Sequence, residues 1–255
     1  MTARLLGTLL AAAAHVLLGV TVWYLFPFLM HGPAIKGEDA ALRWWYWDSL
    51  LILQFGLSHS LLLLVPVRDR LERYIPRALY GCFFTLVTCL SLLFFIWAWS
   101  PCPLIVWELT GGWKLAVNGA YVLSWVALLY SLSLDGWGFQ TGWTPYWAWV
   151  RGQGPPRRQF RERGAYRIIR HPVYLSFLGQ VWFTPIMTLD RALLVGLLTA
   201  YIFLGSYLKD QRLIFYLGDV YRRYQARVPG YPLAWGPLGR VSLLAPEVVS
   251  PLAKQ

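Results

Sequence analysis

Charge is what this sequence has little of. Only 14% of its 255 residues are Asp, Glu, Lys or Arg, against 57% hydrophobic residues and a mean hydropathy of +0.47. A water-soluble domain of this size rarely shows that balance, which argues against a soluble enzyme. Cysteine is equally scarce. Cys82, Cys89 and Cys102 are the three present, in or beside one apolar stretch and without CxxC spacing. They exclude a disulfide framework and a zinc site, and read as inert core thiols. GxGxxG, Walker, HExxH and GxSxG patterns are all missing, so phosphate-cradling and hydrolytic chemistry have no support. No short period recurs, and 15 Trp, 15 Tyr and 13 Phe are too many aromatics for a disordered, collagenous or coiled-coil chain.

What the sequence does have is long apolar runs. A bilayer core needs about 20 such residues per helix. Six stretches qualify or come close: 5–30, 49–67, 78–99, 115–134, and the shorter 173–189 and 192–208. The first lacks a small-residue cleavage site and is expected to stay as a span. The last two are separated only by Asp190 and Arg191 and are expected to form a tight helical hairpin. The fold class is therefore an all-α integral membrane protein of about six transmembrane helices, divided into an N-terminal four-helix region (1–134) and a C-terminal region (135–255).

The net charge of +11 could point to nucleic acid, but the basic residues lie between the apolar runs, where they set topology and meet anionic lipid head groups. With both termini on one side, Arg4, the four basic residues from Arg68 to Arg77, the seven from Arg151 to Arg170 and the seven from Lys209 to Lys254 fall together. Lys36, Arg43, Lys114 and Arg191 fall opposite. The positive-inside rule then places both termini in the cytoplasm, in a bacterial cytoplasmic membrane by expectation. No nucleic-acid or protein partner is implied. Trp44, Trp45, Tyr46, Trp47, Trp97, Trp99, Trp143, Tyr146, Trp147 and Trp149 read as interfacial belts.

Two regions break the pattern. The connection from 135 to 172 is too long for a turn and carries a dense arginine cluster, and long ordered connections are usually functional. From Lys209 to Arg227 a helical rhythm continues through Leu213, Tyr216, Leu217, Val220, Tyr221 and Tyr224 among polar residues. That pattern predicts a cytoplasmic C-terminal helix, stopped by Pro229 and Pro232.

Of the four histidines, His15, His59 and His171 are weighed for chemistry. His15 lies among alanines with no evident partner. His59 is flanked by Ser58 and Ser60 and could line a site within the bundle. Together they make a haem- or quinone-binding protein the rival to an enzyme. His171 sits in Arg170-His171-Pro172-x-Tyr174, where a basic segment meets an apolar helix that should open at Pro172. The first-turn N–H groups there, with Arg170 and His171, suit an anionic group. Asp210 falls at the same interface at the end of the last apolar run and needs a cationic partner.

These residues carry a resemblance. Gly164-x-Tyr166-Arg167-x-x-Arg170-His171-Pro172-x-Tyr174, followed by Asp210-x-x-Leu213-x-x-x-x-Gly218-x-x-Tyr221-x-x-Tyr224-x-x-x-Val228-Pro229, resembles the signature of the isoprenylcysteine carboxyl methyltransferase superfamily. That superfamily also holds phospholipid methyltransferases. The stretches around Gln54 to Ser60, Phe94 to Glu108 and Phe177 to Thr188 are similar to its bacterial methanethiol S-methyltransferase branch. The resemblance implies an S-adenosylmethionine-dependent transfer of methyl to a small thiol, methanethiol giving dimethyl sulfide. A prenylcysteine carboxylate or a phospholipid amine is the alternative acceptor. It places the methyl donor at the cytoplasmic end of the last two spans, with His171, Arg170 and Asp210 as the catalytic frame. Tyr166, Pro172 and Tyr174 contact the donor there, and Tyr221, Tyr224 and Arg227 close the pocket. The chain departs from the family at Lys209-Asp210, where two adjacent acids are usual. His59, Trp97, Trp182 and Tyr201 are expected to wall the acceptor site, the aromatics facing a sulfonium cation. No metal is implied.

Overall fold

The computed structural model describes residues 2–32, 44–156 and 160–241. Lys36, Arg43, Arg157, Arg158 and Lys254, which entered the charge count, lie outside these residues, as does the remainder of the C-terminal segment. The elements in order are α1 (Thr2–His31), α2 (Trp44–Leu61), α3 (Val65–Leu71), α4 (Tyr80–Ala98), β1 (Ile105–Glu108) and α5 (Gly111–Asp135). They continue with α6 (Trp137–Gln140), α7 (Trp143–Val150), α8 (Pro172–Trp182), β2 (Ile186–Thr188), α9 (Leu189–Leu217) and α10 (Asp219–Arg227). The protein is an all-α integral membrane protein with one small antiparallel β1–β2 ribbon.

Four helices, α1, α4, α5 and α9, are long and apolar enough to cross a bilayer singly, and α2 with α3 forms a fifth candidate bent by 72°. The expectation of six spanning helices is corrected at the fifth apolar run. There α8 has 11 residues, a rise of only about 16 Å. The helix stops because Pro185 cannot donate and biases the residue before it away from helix, and residues 183–185 turn out of the helix and lead into β2. Pairing with β1 and a bond from Leu109 N to Pro185 O satisfy this non-helical stretch, while Thr184 donates to Ile186 O. Irregular backbone at membrane depth needs such internal partners. Asp190 and Arg191, expected to form the hairpin turn, lie in the first turn of α9 instead.

The chain thus has two ends. At one, Trp99 Nε1 donates to Asp190 Oδ2 at 2.8 Å, Ser100 N donates to Asp48 Oδ1 at 3.0 Å, and Arg191 donates to the terminal carbonyls of α1 at Leu29 and Met30. Trp99 and Tyr146, expected in interfacial belts, are buried, Tyr146 donating to Thr8 at the other end. Trp45, Tyr46, Trp47 and Trp97 do face outward. The core between the ends is built from Phe28, Leu51, Phe95, Trp125, Val181 and Val195, so helices from both halves of the chain share it. Near the second end, Ala11 and Ala14 let α1 lie close to Leu79 and Cys82, in the manner of small residues at membrane helix contacts. Gly81 meets the turn before α7 backbone to backbone. A Cβ there would come 2.5 Å from Gly142 Cα, and Gly142 itself has φ +80°.

Candidate functional site

Pro172 opens α8 as the sequence predicts, and the two residues before it converge with the outer end of α9. Arg170, His171 and Asp210 are essentially excluded from solvent. The guanidinium is anchored on all sides. Its Nε and one terminal nitrogen donate to Asp210 Oδ2 at 3.3 and 3.0 Å. The same terminal nitrogen reaches Pro237 O at 3.0 Å, and the other reaches Val228 O at 2.7 Å and Gly239 O at 2.8 Å. A guanidinium has five N–H donors, and these bonds, with a sixth and longer one from the latter nitrogen to Gln225 O at 3.3 Å, engage them all. Arg170 therefore fastens the 228–239 loop to the start of α8 and to α9. Its backbone continues the fastening, since Arg170 N donates to Pro229 O and His171 N to Gly230 O.

Asp210 is the hub of this knot. Oδ2 serves Arg170, and Oδ1 accepts the Tyr221 hydroxyl. The nearby carboxylate and burial both push the Tyr221 hydroxyl well above the phenol range, so it remains a donor. Tyr224, one turn on, donates to Tyr166 O at 2.6 Å, tying α10 to the segment before Arg170. Arg227 pairs with Glu162 at 2.8 Å on the surface.

His171 stands apart from this saturation. Its Nε2 is 3.2 Å from Asp210 Oδ2, close enough to feel the charge but out of line for a hydrogen bond. Among the described residues neither ring nitrogen has a hydrogen-bond partner. Burial holds its pKa below the ordinary imidazole value, Asp210 pulling the other way by less. Tyr174 lies edge-on to the ring at 5.6 Å and Tyr231 over it at 5.4 Å. Lys209, in the place of the expected acid, lies 5.4 Å from the Tyr174 ring centre and 6.0 Å from that of Tyr166. These are cation–π distances.

On another face of Asp210 opens a cavity of about 340 Å³, lined by Tyr207, Gln211 and Ile214 of α9, Gln225 of α10, and Gly236, Pro237, Arg240 and Val241. That volume lies in the range of small-molecule sites. The sequence reading missed Tyr231, Gln225 and Arg240. Tyr231 and Arg240 follow the recognisable motif at irregular spacing and return to α8 through the bonds of Arg170 and the His171 backbone, while Gln225 fills one of the motif's unspecified positions.

The expected acceptor wall is not assembled here. Trp97 is 82% exposed on the outside of α4. Trp182 is ten residues beyond Pro172, about 15 Å down α8, and donates to Thr199. Tyr201 bonds Ser60 at 2.9 Å, packs on Gly56 and precedes Asp210 by about 13 Å of helix. His59 packs against Phe84 and Phe55 in the same inner region. His15 bonds Ala11 O at 2.7 Å and Thr141 at 3.0 Å, so both its nitrogens are engaged and neither is open to a haem iron. No group of three metal-ligating side chains occurs among the described residues.

No family model and no solved structure matches the chain. Curated relatives do. Methanethiol S-methyltransferase of a Pseudomonas species is 29% identical over 236 residues, covering 88% of this chain and 89% of the relative. Methanethiol S-methyltransferase 1 of Bradyrhizobium diazoefficiens is 26% identical over 245 residues, covering 88% and 81%. Nurim of Bos taurus is 31% identical over 183 residues, covering 67% and 68%. With the buried Arg-His-Pro knot and its acid in place, these relatives put the chain in the isoprenylcysteine carboxyl methyltransferase superfamily, to which it belongs together with nurim and the methanethiol S-methyltransferases.

Proposed function

We propose that this protein is an integral-membrane methyltransferase that moves the methyl group of S-adenosylmethionine to a small thiol, methanethiol being the acceptor in the names of its relatives. The observation that carries the reading is His171, fully buried 3.2 Å from Asp210 with neither ring nitrogen in a well-formed hydrogen bond among the described residues, while a cavity of small-molecule size opens on another face of the same Asp210. Buried polar atoms without partners are rare, and at a functional site they mark where a ligand completes the bonding.

The donor set fits the methyl donor. Its amino-acid end carries both charges, and the cavity offers a carboxylate at Asp210, a guanidinium at Arg240 and the amide of Gln225. Tyr207, in the cavity lining, supplies an aromatic face for a sulfonium or an adenine ring. Bound there, S-adenosylmethionine supplies an electrophilic methyl on a positively charged sulfur. The chain's own work is then to align the acceptor, exclude water, and keep positive charge near a thiolate. Lys209, close to His171 and Tyr174, serves the last of these. Because a thiolate and a sulfonium cancel charge on reaction, a dry pocket favours the transition state. The lone acid also makes sense on this reading: Lys209 replaces an acid with the charge an anionic acceptor needs. In this reading the site end faces the cytoplasm, in line with the basic loops gathered there.

The test is an assay of detergent-purified protein with S-adenosylmethionine and methanethiol, following dimethyl sulfide in the headspace and S-adenosylhomocysteine in solution. Both are expected, in equal amounts, and both should fall at least tenfold in His171→Ala. Binding of S-adenosylmethionine without either product would transfer the reading to a lipophilic acceptor such as a prenylcysteine carboxylate or a phospholipid amine. Failure to bind it would overturn the reading.

A further inference from the structure

Tyr231 is the second buried polar side chain over His171, and nothing in the motif that drew attention to His171 includes it. It is 4% exposed, and its ring lies 5.4 Å from the imidazole at an interplanar angle of 33°. Phe203 of α9 meets it edge-on at 5.1 Å. Among the described residues its hydroxyl makes no hydrogen bond of good geometry, although the neighbouring Ser206 hydroxyl, which donates to Phe203 O at 2.8 Å, keeps a lone pair within its reach. The residue is held firmly. Tyr231 N donates to Leu238 O at 3.0 Å, and Arg170 grips the carbonyls of Val228, Pro237 and Gly239 on either side. A buried, rigidly placed phenol beside this imidazole leaves two polar atoms, the hydroxyl and Nδ1, without a well-formed hydrogen bond among the described residues, while Nε2 faces the Asp210 carboxylate at 3.2 Å. Leaving them so costs about 1–3 kcal/mol each.

The chemistry of these atoms separates them from the cavity on Asp210. The cavity presents full charges, as a zwitterionic amino-acid group requires. The His171–Tyr231 pair presents a neutral imidazole, with one acceptor nitrogen, and a neutral hydroxyl donor near Phe203, with Arg170 spent on the loop and Asp210 Oδ2. Such a pair suits a group that arrives neutral and departs from its proton. We propose that Tyr231 is a catalytic residue, its hydroxyl donating a hydrogen bond to the acceptor sulfur while His171 takes the thiol proton. The inference rests on the thiol-methylating reading above. The steps balance as follows: the S–H bond breaks with its proton passing to a ring nitrogen of His171; the sulfur lone pair forms the new S–C bond; the C–S bond of the donor sulfonium breaks, its electrons returning to that sulfur. A thioether and the neutral demethylated donor leave, and His171 returns the proton to water. Burial holds the Tyr231 hydroxyl above the ordinary phenol range, so it remains a donor throughout.

The charged and titratable groups around this pair are Asp210 and Lys209 from α9, Arg170 in the preceding segment, and Tyr174 from α8. Tyr231→Phe leaves all of them in place and removes one oxygen. The experiment uses the full chain in detergent and first requires wild-type turnover of methanethiol, so that failure of the thiol reading shows in the wild type alone. With the variant, equilibrium dialysis is expected to give unchanged S-adenosylmethionine binding. Turnover should fall ten- to hundredfold, with the rising limb of kcat, which reports the bound complex, displaced to higher pH. Without turnover, labelled methanethiol retained on the complex with S-adenosylhomocysteine should fall at least tenfold at neutral pH and recover as the pH approaches the thiol's own pKa. A uniform loss with no pH displacement, or weakened S-adenosylmethionine binding, would overturn the proposal.

Discussion

Arg170 and Asp210 meet at 3.0 Å with both side chains closed off from solvent, and the same guanidinium holds four carbonyls of the 225–239 segment. Breaking a buried pair by neutralising one partner leaves an uncompensated charge and costs about 3–5 kcal/mol. Asp210→Asn is therefore expected to lower the thermal midpoint in detergent by many degrees. Arg170→Lys should do nearly the same despite keeping the charge, because an ammonium has three donors and no fork. Thermal unfolding followed by tryptophan fluorescence checks both. A Lys variant as stable as wild type would show that the charge alone matters.

Acidification should act through His171. Its folded value lies below the unfolded value of about 6.5, burial being the main cause, so between the two values the unfolded chain holds the extra proton. Stability from this residue is fully present above that window and declines as the pH drops through it. Thermal midpoints from pH 7.5 to 5 are expected to fall in the wild type and to fall less in His171→Asn. Equal slopes in the two proteins would refute the assignment.

The sequence shows some of this directly and some of it not at all. Pro172 as a helix start was legible because the residue before a helix-opening proline is locally constrained. The pairing of Asp210 with a cation was legible because a lone acid beside an apolar run demands one. The fifth crossing was misread because hydropathy counts apolar residues without regard to backbone. Residues 173–189 are apolar enough for a helix, but Pro185 and the ribbon with β1 decide otherwise. Aromatic identity likewise does not say which way a ring faces. Trp97 and Trp99 are two residues apart, yet one faces outward and the other is buried on Asp190. Tyr231 depends on a fold of the 228–239 loop that is specified by long-range contacts, those of Arg170 and of the His171 backbone among them.

That contrast at Trp97 and Trp99 yields its own test. Trp97→Phe removes an exposed indole and is expected to change the thermal midpoint and the binding of S-adenosylmethionine by less than measurement error. Trp99→Phe removes the donor to Asp190 Oδ2, while Oδ1 has no partner among the described residues. A buried acceptor stripped of its donor costs about 1–3 kcal/mol, more when charged. The Trp99 variant should unfold several degrees earlier, and Asp190→Asn combined with it should recover part of the loss. Equal midpoints for the two single variants would sink the argument.

The tightest test of the packing between α4 and the turn before α7 is Gly81. A Cβ there falls 2.5 Å from Gly142 Cα and 3.2 Å from Gly142 N, backbone atoms that cannot rotate away. Gly142 cannot yield by changing conformation cheaply, since φ +80° is a region that residues other than glycine rarely adopt and its own Cβ position is only 2.3 Å from Cys82 N. Gly81→Ala must therefore push the helix and the turn apart, and overpacking of this kind costs about 1–3 kcal/mol. In an exposed helix interior the same substitution would stabilise by up to about 1 kcal/mol through backbone entropy, so the sign of the effect is diagnostic. Gly119, whose Cβ would meet nothing within 4 Å on α5, provides the control. Gly119→Ala is expected to raise the thermal midpoint or leave it unchanged while Gly81→Ala lowers it, and a stabilised Gly81→Ala would mean that the helix and the turn do not touch.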